Sequence, residues 1–423
     1  MKSNKVLQVF EHDRLTTSNP LFESRHLNAL LKLNEAHGFD YFEAIPNGVK
    51  FKQHVGVLQV DGLCIEILPK TDRDAESADW KGVLLQMLKA CGHLTASSAG
   101  DAQVKRQHLN LLEVYFEAFL NEVDQLLRLG LVKKYRTNQG NVKALKGKLE
   151  FAAHIRYNSV HKERFFTSHQ VYDTQHLLHQ VLHHALRIVV HFSKGTYLFD
   201  RCKRLLLHFP EMPSVNITKQ QLDSLVLNRK TAAYTKGLDL AKLIILNYSP
   251  AITSGKEKMI SLLFDMNQLW ESFILVQLRK ELLDSVFEVK GQAKKSFIGN
   301  NFLQPDLVVV HKEDPTKVFV MDTKWKRPKN NVASIADLRQ VYAYNRFWKA
   351  PKSILLYPGE KQNTQFRTFL TEDVIGIGEH SESIQHQCKL GYVNVLDSDN
   401  RLSKTIGRDI LDLLEEPELL FCT

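Results

Sequence analysis

The chain has 423 residues, 43% hydrophobic and 24% charged, with a formal net charge of +9. Four Trp, 23 Phe and 12 Tyr supply apolar mass for a sizeable core and exclude a disordered polymer. The basic excess is compatible with a nucleic-acid partner without demanding one.

The opening stretch MKSNKVLQVFEHDRL has no apolar core, so no signal peptide is expected. No apolar run approaches the roughly 20 residues that a membrane span needs. Cys64, Cys91, Cys202, Cys388 and Cys422 are scattered, odd in number and free of CxxC spacing. That pattern fits reduced thiols and a cytoplasmic location better than a disulfide framework.

Residues 20–36, PLFESRHLNALLKLNEA, read as an amphipathic helix. FEAIPNGVKFKQHVGVLQVDGLCIEILPK then alternates apolar and polar residues, with turns at Asn47-Gly48 and Asp61-Gly62. Both dipeptides tolerate positive φ, which predicts three or four antiparallel strands. DWKGVLLQMLKACGH and NLLEVYFEAFLNEVDQLLRLG return to helical period, the second ending at Gly130. LVKKYRTNQGNVKALKGKLEF reads as a β-ribbon with bends at Gly140 and Gly147. Residues 173–193 form a long helix carrying His176, His179, His183 and His184. The i, i+4 pair His179–His183 suits zinc, but no third ligand or H-E-x-x-H accompanies it, so polar or interface histidines are expected.

From Ile260 the predicted order is α-β-β-β-α-β, followed by a strand (GYVNVLD) and a helix (GRDILDLLEE). The chain thus reads as a multidomain α+β/α/β protein with regions 1–155 (β-rich and helical), 156–255 (helical, connecting) and 256–423. The third region holds the chemistry. In QPDLVVVHKEDPTKVFVMDTKWKRPK, two apolar strands carry Asp306 and Asp322, with Lys324 on the same face as Asp322. If the strands pair, the aspartates come close and repel unless a cation sits between them. Oxygen ligands favour Mg²⁺ or Mn²⁺, which would bind a scissile phosphate and acidify water. Lys324 would orient that water or stabilise the developing phosphorane charge. Glu271 shares a helical stripe with Phe264, Ile274, Leu275 and Leu278, a costly place for a carboxylate without a partner. Gln340 and Tyr344, four apart on the later helix, would reach a phosphate or orient Lys324.

Pro-Asp alone is common in turns, and D-x-K alone suits a solvated edge. The ordered set of helix Glu, strand PD, strand DxK and helix QxxxY is specific. It resembles the PD-(D/E)xK nuclease superfamily, whose restriction-endonuclease-like domain has αβββαβ order. GVLQVDGLCIEILPKTD, LLEVYFEAFLNEVDQLLRLGLVKKY, LKGKLEF and DMNQLWESFILVQL extend the resemblance to the McrC family, the nuclease subunit of McrBC modification-dependent restriction systems.

That resemblance implies an Mg²⁺-dependent endodeoxyribonuclease, with Mn²⁺ able to substitute. Asp306, Asp322, the Thr323 carbonyl and Glu271 would hold the metal, and Lys324, Gln340 and Tyr344 would complete the site. Lys290, Lys294, Lys295, Lys326, Arg327 and Lys329 would contact phosphates of double-stranded DNA without reading sequence. The N-terminal half would dock in a hexameric AAA+ GTPase that translocates DNA and recognises 5-methylcytosine, and would stimulate its hydrolysis. From their position alone, not from the resemblance, Arg136, Asn138 and Asn141 at the ribbon tip are expected to project into the partner's nucleotide site. No G-x-x-x-x-G-K-[ST] loop occurs, so no nucleotide is expected on this chain itself. Two alternatives are a standalone RecB-like exonuclease, which the long non-nuclease half disfavours, and a catalytically silent NTPase-activating assembly factor, which the intact Asp306, Asp322 and Lys324 disfavour.

Overall fold

The computed structural model describes residues 5–38, 41–70, 79–94, 109–213, 215, 217–249, 259–370 and 385–415. Cys422 and the expected boundary at 255/256 lie outside them. The order begins β1 (Lys5–Phe10), β2 (Arg14–Thr16), α1 (Ser24–His37), β3 (Phe42–Ile45), β4 (Gly48–Phe51), β5 (His54–Val60), β6 (Leu63–Leu68) and α2 (Trp80–Ala90). It continues α3 (Leu111–Leu129), β7 (Lys134–Val142), β8 (Lys148–Leu149), α4 (Phe151–Asn158), β9 (Phe165–Asp173), α5 (Leu177–Phe192), α6 (Leu198–His208), α7 (Lys219–Asp223), α8 (Thr235–Leu246) and β10 (Tyr248–Ser249). Then come β11 (Met259–Asp265), α9 (Met266–Glu281), β12 (Phe287–Gly291), β13 (Lys295–Ile298), β14 (Asn301–Leu303), β15 (Leu307–His311) and β16 (Val318–Thr323). The described residues close with α10 (Ile335–Trp348), β17 (Lys352–Pro358), β18 (Arg367–Thr368), β19 (Gln387–Val393) and α11 (Ile406–Leu413). The protein is a mixed α and β chain with several sheets.

The predicted hairpins from 42 to 68 are present. Asn47 (φ 54°), Asp61 (φ 43°) and Gly62 (φ 78°) take the positive angles those turns need. β5 and β6 enter a five-stranded sheet of order β1-β6-β5-β11-β10.

The chain divides into two compact units. One gathers residues 1–6, 58–64 and 97–262, the other 7–57, 65–96 and 263–423. The units therefore interleave along the sequence, whereas the three expected regions run in linear order.

In the first unit the long strand β7 pairs antiparallel with β9, from Lys134↔Asp173 to Val142↔Phe165. The expected ribbon differs in two ways. Its second strand is β9, and the local return segment contributes only β8, which also pairs with β9. Gly140 lies inside β7 opposite Thr167, while Gly147 does sit at a bend (φ 65°). Helix α3 starts on a capping box between Asn110 and Glu113. His179 is buried in α5, held by the Tyr234 hydroxyl at 3.0 Å and the Thr174 carbonyl at 2.8 Å. Burial pushes its imidazole down to about 4, as befits a core histidine.

In the second unit a six-stranded sheet has order β12-β15-β16-β17-β19-β18. β12, β15 and β16 are antiparallel neighbours, while β17 runs parallel to β16 and β19. Helix α10 packs on this sheet through Tyr344 and Trp348, against Val308, Val318 and Val320. Residues 259–265, expected as the start of a helix, form β11. The helix begins only where the Asp265 carboxylate caps the N–H groups of Asn267 (2.8 Å) and Gln268 (3.2 Å). NFLQPDLVVV is likewise broken. Asn301–Leu303 pairs with β13, and a new strand starts at Leu307.

Candidate active site

The register of the six-stranded sheet brings the expected residues together. Leu307 pairs with Met321, so Asp306 falls opposite Asp322 one step beyond. On the other side the Gln292 N–H donates to the Asp306 carbonyl at 2.9 Å. Three adjacent strands thus end at one level, carrying Gln292, Asp306 and Asp322.

Asp322 is 1% exposed and ion-paired with Lys324 at 2.7 Å. The Lys324 N–H donates to the Leu356 carbonyl at 2.9 Å, anchoring the lysine to β17. One oxygen of Asp306 accepts from the Thr323 backbone N–H (2.6 Å) and hydroxyl (3.0 Å). Glu271, half-buried on α9, accepts from the Gln292 side-chain amide.

The electrostatics tie these groups into one cluster. Burial, then repulsion from Asp306, pushes the Asp322 carboxyl up to about 6, against the pull of Lys324. Burial also raises Asp306, opposed by its bonds from Thr323. Glu271 is pushed up to about 7 by burial and then by the Asp306 charge. Burial pulls the Lys324 ammonium down, but the combined attraction of Asp322, Asp306 and Asp337 outweighs it and raises the group.

One member has no counterpart among the expected residues. Asp337, buried on the first turn of α10, lies 4.0 Å from Lys324 and 3.4 Å from Lys326. In sequence it reads as the fourth position of an S-x-x-D cap, and Ser334 does cap its N–H at 3.1 Å. Four carboxylates (Glu271, Asp306, Asp322, Asp337) therefore interact with two ammonium groups (Lys324, Lys326). Among the described residues, no three His, Cys, Asp or Glu side chains stand close enough together to hold a metal ion in this arrangement. The excess of buried negative charge is nonetheless what a divalent cation would offset.

Gln340 and Tyr344 are joined to each other and to the strand connection before Asp306. The Gln340 amide donates to the Tyr344 hydroxyl at 2.8 Å, and that hydroxyl donates to the Gln304 carbonyl at 3.0 Å. Their hydrogen bonds tie α10 to the turn that delivers Asp306, and Tyr344 also senses the charges of Asp322, Asp306 and Lys324. Tyr344→Phe should cost about 1 kcal/mol of stability and slow any reaction at the centre about threefold to tenfold. Denaturant melts and a rate measurement check this; an unchanged rate would detach Tyr344 from the site.

Of the basic residues, Lys326 joins the cluster through Asp337. Lys290 pairs with Glu288 at 2.6 Å. Lys295 donates to the Phe347 carbonyl at 2.7 Å and lies over the Trp348 ring. Lys294 is exposed, Arg327 lies against Gly359, and Lys329 starts a 3₁₀ turn. The ribbon residues need correction. Arg136 sits near the base of β7, not at its tip, and grips Asp173 with both Nε and an Nη nitrogen (2.8–3.1 Å). Asn138 is mid-strand opposite His169, and Asn141 exchanges amide hydrogen bonds with Asn158.

The raised carboxyls set a pH dependence. Each binds its proton more tightly in the folded state. Their stabilisation is complete below the unfolded values of 3.8 for Asp322 and 4.5 for Glu271. It is lost as pH rises through about 6 and about 7 respectively. Thermal melts without divalent metal should therefore show stability falling across that window. Added Mg²⁺ should raise the melting temperature more at its upper end. Equal effects of Mg²⁺ at both ends would mean these carboxylates do not bind it.

Comparison with known proteins follows this geometry. The sequence profile of a family described as "McrBC 5-methylcytosine restriction system component" matches residues 49–358. A curated relative from Escherichia coli (strain K12), the type IV methyl-directed restriction enzyme EcoKMcrBC, is 24% identical over 179 residues. That match covers 41% of this chain and about half (51%) of the relative. A chain from a refined half-complex of the tetradecameric assembly of Thermococcus gammatolerans McrB AAA+ hexamers with bound McrC has the same fold. Its TM-score is 0.68 at 20% identity, covering 97% of this chain and 100% of that one. A second chain, from the Thermococcus gammatolerans McrBC complex, gives 0.50 at 19% identity over 66% of this chain and 88% of that one. No helix among the described residues is long and apolar enough to cross a membrane. With its profile match spanning most of the sequence, the chain belongs to the McrBC family of 5-methylcytosine restriction system components.

Proposed function

We propose that this chain is the DNA-cutting subunit of a modification-dependent restriction complex. It is read as a Mg²⁺-dependent endonuclease of the PD-(D/E)xK type, working in the cytoplasm with a hexameric AAA+ GTPase that it docks on and stimulates. The observation that carries the reading is the facing pair Asp306 and Asp322, with Lys324 ion-paired beside Asp322 at 2.7 Å. The relative's methyl-directed activity and the neighbour's McrB hexamers with bound McrC support the substrate and the partner.

Asp306, Asp322 and the Thr323 carbonyl would hold the metal, with Glu271 beside them. When bound, Mg²⁺ supplies Lewis-acid polarisation of the scissile phosphate and lowers the pKa of nearby water. The water oxygen attacks phosphorus, one P–O ester bond breaks, and the departing oxygen takes up a proton. Glu271, held near neutrality, is placed to receive the proton that the water loses. The Lys324 ammonium faces the negative charge that grows on the phosphoryl oxygens. Lys294 and Lys326 extend positive charge along the DNA path. In the other unit, α4 leaves Phe151 and Ile155 70% and 67% exposed, an apolar surface suited to the ring partner.

The test is cleavage of methylated plasmid by this chain with its hexameric AAA+ partner. Cutting should require both proteins, nucleotide, methylation and Mg²⁺. Digestion from free ends by the chain alone would favour an exonuclease, and stimulation of the partner without cutting would favour an assembly factor.

A further inference from the structure

Glu11 lies far from the cluster in sequence and takes no part in the chemistry above. It follows β1 directly and is 4% exposed. Its Oε1 accepts from the Trp325 indole N–H at 2.6 Å and from the Lys70 backbone N–H at 3.0 Å. Its own N–H donates to the Leu68 carbonyl at 3.0 Å. Burial pushes its carboxyl up to about 7, in spite of the two bonds that favour the charged form. A buried carboxylate destabilises a core that an apolar side chain would fill more cheaply.

What Glu11 reaches explains its placement. Trp325 directly follows Lys324 and is buried. Its ring centre lies 5.1 Å from that of Trp270, which directly precedes Glu271. One indole therefore touches both elements that carry the non-aspartate members of the site. The Lys324 backbone is held to β17 through the Leu356 carbonyl, but the residue that follows it is not. β16 ends at Thr323, so the ladder no longer fixes the chain direction beyond Lys324. A hydrogen bond to a carboxylate is stronger and shorter than a neutral one, and this one fixes the next residue's side chain.

We propose that Glu11 is a positioning residue for the centre: through the Trp325 indole it sets where Lys324 and Glu271 stand relative to Asp306 and Asp322. The proposal rests on the nuclease reading, because that reaction is what the positioning serves.

The test uses the full chain with its ring partner. Glu11→Ala removes the acceptor, Trp325→Phe removes the donor and keeps a ring, and Glu11→Gln keeps an acceptor oxygen for both donors. Glu11→Ala and Trp325→Phe should each lower the single-turnover cleavage rate on the order of tenfold to a hundredfold. KM for DNA should not change. The double variant should be no slower than the slower single one, and Glu11→Gln should cut like the unaltered protein. Wild-type cutting by Trp325→Phe, or losses that multiply in the double variant, would overturn the proposal. Should Glu11→Ala fail to fold, Trp325→Phe against Glu11→Gln decides. A second readout separates this proposal from the nuclease reading. In protein carrying carbon-13-labelled lysine, the Lys324 side-chain resonance should shift in Trp325→Phe and stay in place in Glu11→Gln. An unmoved resonance in Trp325→Phe overturns the positioning role even if the unaltered chain cuts DNA. A shifted one supports it even if no cutting is seen.

Discussion

Asp322→Asn is expected to cut DNA on the order of 10³-fold more slowly while leaving the metal-free fold intact and, above neutral pH, more stable. The two effects have opposite signs if the aspartate serves a cation and not the fold, as proposed. Its side chain is buried, and both burial and the Asp306 charge hold its carboxyl up at about 6. The amide is close in shape and still offers Lys324 an oxygen. It removes the repulsion with Asp306 and the cost of burying a charge. It also replaces an anionic oxygen ligand with a neutral one, so Mg²⁺ affinity should fall with the rate. Calorimetric Mg²⁺ titration, thermal melts and cleavage assays on one preparation give all three quantities. An Asn variant that binds Mg²⁺ normally and cuts at the original rate would move the active centre elsewhere. One that unfolds would make Asp322 a structural residue.

Lys324→Ala should lose cleavage by a comparable factor, on the order of 10² or more, with a different metal signature. A nearby ammonium disfavours a cation, so Mg²⁺ affinity should hold or rise once the aspartates are ionised. Below about pH 7 the effect should invert. Asp322, deprived of its partner at 2.7 Å, then keeps its proton more tightly and competes with the metal. Titrations on either side of neutrality separate these regimes. Loss of Mg²⁺ binding at high pH as complete as in Asp322→Asn would mean that Lys324 only props up the site.

The heart of this centre was legible in the sequence because it depends on strand alternation. A PD before one apolar strand and a DxK closing the next place Asp306 opposite Asp322 whenever the two strands pair, and the observed register does so. Glu271 was legible for a related reason: it interrupts a stripe whose Ile274 and Leu278 are buried. The spacing of Gln340 and Tyr344 was visible, but the bond from the Tyr344 hydroxyl was not, because its acceptor is a backbone carbonyl at Gln304. Asp337 was not singled out, because it sits in the first turn of a helix that Ser334 caps, and only the fold brings it to Lys324. Glu11 was invisible, since a single acidic residue after a strand carries no periodic signal and its partner lies at position 325. The strand β9 was missed although FFTSHQVYD alternates, because the lysine-rich segment nearer to β7 offered a shorter return. In β11 the apolar run MISLLF suits helix and strand alike, and only the cap formed by Asp265 marks where the helix starts.

The interleaving of the two units has a consequence for synthesis. Residues 7–57 and 65–96 leave the ribosome well before residues 263–423, with which they form one compact body. The early segments can form their own sheet, β2-β4-β3, but must wait for the rest of their compact body while everything between is translated. Lys324 and both aspartates belong to that late segment. A ribosome that stalls before it releases a polypeptide that lacks Lys324 and both aspartates.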